Sequence, residues 1–167
     1  HRNWELTMRI SRVLALTLAL VMMASVAFAG PSYDRIMKDK KIRIGIMTDS
    51  IPGAFFNDKG EWVGFDYDVA TELAKRLGVE IERVKVNNKT RIAFIQQGRI
   101  DASVANMTHT REREKSIDFS LTYFFDGQKV LAKTGKYKSL ADMKDKKIAT
   151  MQGTTSEINV KRALKAM

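Results

Sequence analysis

Between Lys41 and Asn106, strand-length runs of β-branched residues alternate with helical patterns that end at glycine, and this alternation restricts the fold more than any other feature. "IRIGIM" (Ile42 to Met47) is an apolar run of strand length. "GEWVGFDYDVATELAKRLG" then combines a short hairpin strand with a helix whose Val69, Leu73, Ala74 and Leu77 share one face and whose natural stop is Gly78. "EIERVKV" (Glu80 to Val86) alternates with period two, "KTRIAFIQQG" gives a short helix ending at Gly98, and "IDASVAN" gives a further strand. Strands alternating with helices predict a parallel α/β sheet. Sheets of this kind place ligands beyond the carboxyl ends of their strands, and "NMTHTREREK" (Asn106 to Lys115) stands at such an end.

Further along, Asp126 to Lys133 ("DGQKVLAK") reads as a long strand-like run, Leu140 to Lys144 as a short helical piece and Lys147 to Thr150 as a strand. "MQGTTSEINVKRALKAM" closes the sequence as loop plus helix, so a second α/β unit is expected to begin near residue 131.

The first residues are of a different kind. From Met8 the order is Arg9 and Arg12, an uncharged apolar run from Val13, then Ala27-Phe28-Ala29 before Gly30. That is the layout of a secretory signal peptide cleaved after Ala29, so residues 1–29 are expected to be leader plus signal. A membrane-spanning helix needs roughly 20 apolar residues, and the run falls slightly short. Cysteine is absent from the 167 residues, which leaves no disulfide framework and no cysteine for lipid attachment. The expected location is a periplasm. The net charge of +10 is spread along the chain, with "KDKKIR" and "MKDKKIA" as its dense runs. This reads as a solvated surface favouring anionic ligands, not as a nucleic-acid interface.

Two polar clusters could hold a ligand. With Thr154 as N-cap, Glu157 falls at the third helical position, a capping box, and the Gly153-Thr154-Thr155 turn exposes helix N-terminal N–H groups that suit a carboxylate. Thr110 can likewise cap a helix starting at Arg111, which leaves the Arg113 guanidinium free to lean back towards Thr108 and the Asn106 backbone. A planar fork of donors matches a carboxylate, although "REREK" reads equally well as an exposed helix with local ion pairs. Asp66 and Asp68 sit at a helix start, where dipole and capping roles explain them. His109 reads as a loop residue, and no histidine or cysteine stands at metal-ligand spacing. No GxSxG, P-loop, HExxH or GxGxxG occurs, and no nucleophile has an obvious base.

Taken together, "KIRIGIMTDS", "GEWVGFDYDVATELAKRLG", "TRIAFIQQGRIDASVANMTHTRERE", "IDFSLTYFFDGQ" and "MQGTTSE" resemble, in order, the polar amino-acid-binding proteins of ABC importers, the family 3 solute-binding proteins. The resemblance runs from about Lys41 to Lys161. It implies the periplasmic-binding-protein type II clamshell, an α/β fold of two lobes joined by crossing strands, with lobe 1 at 30–127 and the beginning of lobe 2 at 128–167. It implies that Arg113 grips the ligand α-carboxylate with help from Asn106 and Thr108, that Thr154 and Thr155 supply donors from the other lobe, and that Asp49 belongs to the ligand-binding set. It further implies a monomer without cofactor or metal that delivers an acidic or polar amino acid, glutamate- or aspartate-like, to a membrane ABC permease. An enzyme of the cyclohexadienyl dehydratase kind and a sensory input module of a receptor are the alternatives on the same fold.

The sequence departs from the family pattern at Tyr67, where an aliphatic residue is usual, and at Gly53 and Ala54, which put stacking of a ligand side chain in doubt. The lobe 2 acidic residue for the ligand ammonium would lie beyond Met167, so lobe 2 is expected to be truncated and the isolated chain to bind weakly or not at all.

Overall fold

In the computed structural model, residues 30–166 are described. The signal-peptide reading of residues 1–29 lies outside the described residues. The chain divides between Arg35 and Ile36, and the description below concerns the part from Ile36 onwards.

A parallel sheet of order β5-β1-β6 is built from β1 (Lys41–Ile46), β5 (Glu80–Lys85) and β6 (Ala102–Ser103). Register runs from Lys41 opposite Glu80 to Ile46 opposite Lys85, and Ile44 stands opposite Ala102. As the central strand, β1 is covered on both faces, which is why "IRIGI" is almost continuously apolar. On one face Ile42, Ile44 and Ile46 pack with Ala70 and Ala74 of the helix α2 (Phe65–Leu77), joined by Ile36 from α1 (Pro31–Asp39). On the other, Met47, Val86, Ile100 and Ala105 pack with Phe94 and Ile95 of α3 (Arg91–Gln96). Burying each such isoleucine is worth about 1.5–3 kcal/mol. Gly45 permits the close approach on this second face: a Cβ there would lie 2.7 Å from Ile100 Cδ1.

The buried face of α2 is Asp66, Ala70 and Ala74 at i, i+4 spacing, with Val69 and Leu77 half-buried beside it. Leu73, expected on that face, is exposed. The helix stops at Gly78, which adopts the left-handed conformation (φ 65°) and donates its N–H to the last turn. A small antiparallel sheet, β2 (Asp49–Ser50), β3 (Ala54–Phe56) and β4 (Trp62–Val63), supplies the expected hairpin, and Trp62 Nε1 ties it to the Met47 carbonyl at 2.7 Å.

The second half differs from its sequence reading. Asp126 to Lys133 and Lys147 to Thr150 form no strand, and Leu140 to Lys144 contracts to a 3₁₀ turn at Ala141–Met143. A strand exists only through hydrogen bonds to a neighbour. Among the described residues these runs join no β-ladder, and Leu121, Phe125 and Leu131 stay exposed. The α5 helix (Thr155–Lys165) forms as expected because its hydrogen bonds are internal.

Candidate functional site

The C-terminal ends of β5 and β6 open into two loops, 87–90 and 106–110, and the turn before α5 folds against both. The short helix α4 (Arg111–Glu114) begins at Thr110, whose hydroxyl accepts from the Arg113 N–H at 3.2 Å, as the capping pattern predicts. This sends the Arg113 side chain back across the strand end. Nη1 donates to the Thr108 carbonyl at 2.7 Å and Nη2 to the Gly153 carbonyl at 3.0 Å. Thr108 Oγ1 lies 3.3 Å from Thr155 Oγ1, which also accepts from Gln128 Nε2 at 2.7 Å. The Gln128 side-chain carbonyl in turn accepts from Asn159 Nδ2 at 2.7 Å.

At the head of α5 the Thr154 hydroxyl accepts from the Glu157 N–H at 3.3 Å. The Glu157 carboxylate reaches the Gly153 N–H at 3.0 Å, one residue before the cap, whereas a capping box would bring it to the cap residue itself. Gly153 has φ +80°, and a Cβ on it would lie 2.9 Å from the Asn88 carbonyl oxygen, so the turn seats on loop 87–90 only as glycine. Asn88 Nδ2 contacts Met151 Sδ across the same junction.

The expected residues therefore divide. Arg113, Thr108 and Thr155 are within one hydrogen-bonded cluster, Thr154 caps the helix beside it, and Asn106 stands at the base of the same loop with φ +46°. Asp49 is exposed in β2, paired with Phe55, and makes no hydrogen bond to this cluster among the described residues. His109 is a loop residue beside the cluster, stacked on Phe119 at 4.5 Å with Nε2 3.1 Å from Glu114. No group of three or more possible metal ligands occurs among the described residues.

Sequence reasoning missed what lies beneath the loop. Arg91 is 2% exposed, and its Nη1 donates to the carbonyls of Ala105 and Asn106, at 2.5 and 3.2 Å. Burial, with the Arg113 charge adding to it, lowers the Arg91 pKa to about 10. Asp66 is 3% exposed and accepts from the Tyr123 hydroxyl at 3.1 Å, so it is a buried acceptor and not the exposed dipole residue its position suggests. Burial raises its pKa above the usual carboxylate value, while the Tyr123 hydroxyl, the Asn106 N–H and the Arg91 charge pull the other way. The same burial raises the Tyr123 pKa. A signal for Arg91 did exist: a cation in the first turn of a helix opposes the helix dipole, which marks it for a partner elsewhere.

Desolvation lowers the Arg113 pKa from its ordinary value, and the guanidinium remains a cation. A half-buried guanidinium held between two backbone carbonyls, beside hydroxyl groups and a helix N-terminus, can bind a small carboxylate that displaces one carbonyl. Two cavities of 310 and 550 Å³ lie elsewhere, along residues 129–160, and Arg113 lines neither.

Residues 42–166 match the family described as bacterial extracellular solute-binding proteins, family 3. A glutamine-binding protein of an ABC transporter from Bacillus subtilis is 40% identical over 132 residues, covering 75% of this chain and 48% of that protein. The glutamate/aspartate import solute-binding protein of Escherichia coli is 30% identical, covering 78% and 46%. Among solved structures, an ancestral amino acid-binding protein described as a precursor of cyclohexadienyl dehydratase superposes with a TM-score of 0.77 at 39% identity, covering 80% of this chain and 61% of that one. The arginine-bound form of domain 1 of the T. maritima arginine-binding protein, at TM-score 0.53 and 37% identity, covers 55% of this chain and 71% of that one. The relatives named here are binding proteins and not enzymes. The chain spans about half the length of the curated relatives it matches. Its fold is the α/β fold of the type II periplasmic binding proteins, and the chain belongs to the bacterial extracellular solute-binding proteins, family 3.

Proposed function

We propose that this chain forms the carboxylate-gripping part of an amino-acid receptor that feeds an ABC permease. Residues 30–127 would be the first lobe and 128–167 the start of the second. The observation that carries this reading is the Arg113 guanidinium bridging Thr108 and Gly153, one group from each part. A ligand carboxylate entering there exchanges a neutral acceptor for a charged one on the same donor, a gain typical of charge-assisted hydrogen bonds. Thr154 and Thr155 at the helix start add donors, and Asn106 frames the strand end. Asp49, in β2, is the proposed contact that shares no hydrogen bond with this cluster among the described residues.

For the ligand we favour a polar amino acid of the glutamine kind. The 40% identity to a glutamine-binding protein supports it, whereas the glutamate/aspartate-binding relative stands at 30%. Family membership supports action outside the cytoplasm and docking on a membrane permease, and to these we add export through a signal peptide and a monomeric state as part of the proposal. No helix among the described residues is long and apolar enough to cross a membrane.

A single domain of the T. maritima arginine-binding protein was obtained with arginine bound. That result supports retained binding by a partial clamshell and weighs against complete loss in this chain. An ammonium group without a carboxylate partner still costs about 1–3 kcal/mol, so binding weaker than that of the full-length protein is expected. Isothermal titration of the 167-residue chain with L-glutamine, L-glutamate, L-aspartate and L-arginine tests the reading. Glutamine is expected to bind most tightly, and absence of saturable heat for all four would refute it.

A further inference from the structure

The geometry points to Arg91 as a positioning residue that sets the direction of the Ala105–Thr108 strand tip and through it the orientation of the Arg113 guanidinium. This deepens the proposed function and rests on it for its meaning in ligand capture.

One buried nitrogen, Arg91 Nη1, takes two successive carbonyls, Ala105 and Asn106. Ala105 is fully buried and Asn106 exposed, so the clamp lies where the chain leaves the core. There Asn106 turns into the left-handed region at φ +46°, uncommon for a residue with a side chain. A left-handed residue persists only when its surroundings over-determine it, and a guanidinium gripping the carbonyl on each side of its α-carbon does so. Two residues later the Thr108 carbonyl receives Arg113 Nη1 at 2.7 Å. The path from Arg91 to Arg113 thus consists of one clamp, one constrained residue and one hydrogen bond.

Arg91 could not stay buried as a cation without compensation. The Asp66 charge favours the Arg91 cation without forming an ion pair to it, and the Tyr123 hydroxyl donates to Asp66 Oδ1. Asp66 is itself placed by the α2 start, where its N–H binds the Gly53 carbonyl at 2.7 Å and a Cβ on Gly53 would lie 3.1 Å from Asp66 Oδ2. Gly53 thereby gains a role: the missing side chain leaves room for the carboxylate. Arg113 also faces Arg91 as a like charge, so the clamp adds positive potential behind the proposed carboxylate position.

Lysine at position 91 keeps the charge but replaces the planar donor fork with a single flexible ammonium. Arg91→Lys is therefore expected to move the backbone carbonyl ¹³C resonances of Ala105 and Asn106 and the Nε–Hε resonance of Arg113, with Ile44 and Ile46 of β1 unmoved. In titrations, its preference for L-glutamine over L-glutaminamide, which lacks the carboxylate, should fall on the order of tenfold, the equivalent of 1.4 kcal/mol. An Arg113 resonance that stays in place while the carbonyls shift would make Arg91 merely structural and overturn the proposal, as would unmoved carbonyls. Should Arg91→Lys fail to fold, Tyr123→Phe, which frees Asp66 Oδ1 and so alters the charge environment of Arg91, is read the same way: movement of the same resonances supports the positioning role, and no movement overturns it. If the unsubstituted chain fails to prefer glutamine over glutaminamide, the ligand reading falls, and the Arg113 resonance alone decides the positioning role.

Discussion

Replacing Arg113 with methionine keeps an unbranched apolar stem and removes the guanidinium donors. In the structure two of those donors are engaged, by the Thr108 and Gly153 carbonyls at 2.7 and 3.0 Å. A ligand carboxylate taking the place of the Gly153 carbonyl would gain two hydrogen bonds from a charged donor and forfeit the one that the same donor makes to the carbonyl, each worth about 1.5–3 kcal/mol. For a bidentate grip the difference is about 2–3 kcal/mol after partial solvent screening of a half-buried group. That corresponds to a loss of affinity of roughly 30- to 150-fold. The assay is calorimetric titration of L-glutamine into Arg113→Met beside the unsubstituted chain, with Arg113→Lys as the intermediate case. Thermal unfolding controls for the fold and should show a modest fall, from loss of the bonds to the Thr108 and Gly153 carbonyls, without loss of cooperativity. Affinity within threefold of the parent, with folding intact, would refute the assignment of the carboxylate to this guanidinium.

Gly153→Ala should lower both stability and affinity, since φ +80° costs a side-chain-bearing residue about 1–2 kcal/mol and the new Cβ would lie 2.9 Å from the Asn88 carbonyl oxygen; denaturant titration and calorimetry would read the two losses. Thr154→Ala removes the hydroxyl that accepts from the Glu157 N–H and should cost about 1 kcal/mol of α5 stability, seen as reduced helical signal on heating. Asp66 gives a pH signature. Its folded pKa lies above its ordinary 3.8, so its contribution to stability is fully present below that value and is lost as pH rises through the raised folded pKa. Asp66→Asn should therefore flatten the fall in stability on the alkaline side of 3.8, and an unchanged pH profile by chemical denaturation would contradict the burial assigned to this carboxyl.

The parallel sheet was legible because hydrophobic periodicity and glycine stops are local signals, and β1, α2, β5 and α3 form close to where they were read. The Thr110 and Thr154 caps were legible for the same reason: a hydroxyl and the N–H three residues on are bound to meet once the helix forms. Leu73 was misplaced because helical spacing admits two neighbouring faces, and packing against β1 selected the one carrying Ala70. The runs at 126–133 and 147–150 were read as strands from composition alone. Strand formation is a property of a pair of chain segments, and among the described residues neither run is paired into a ladder, although both line one cavity.

By itself, then, the sequence determined the alternating α/β order, the helix caps and the presence of a guanidinium at a strand-end loop, all of which depend on neighbours a few residues away. Only the tertiary structure decided that Asp66 is a buried acceptor, that Arg91 clamps the strand tip 14 and 15 residues further on, and that Gly153 meets Arg113 across 40 residues. The physical reason is that burial, desolvation and long-range hydrogen bonding arise only when distant segments pack, and no local pattern of residue types specifies which segments those are.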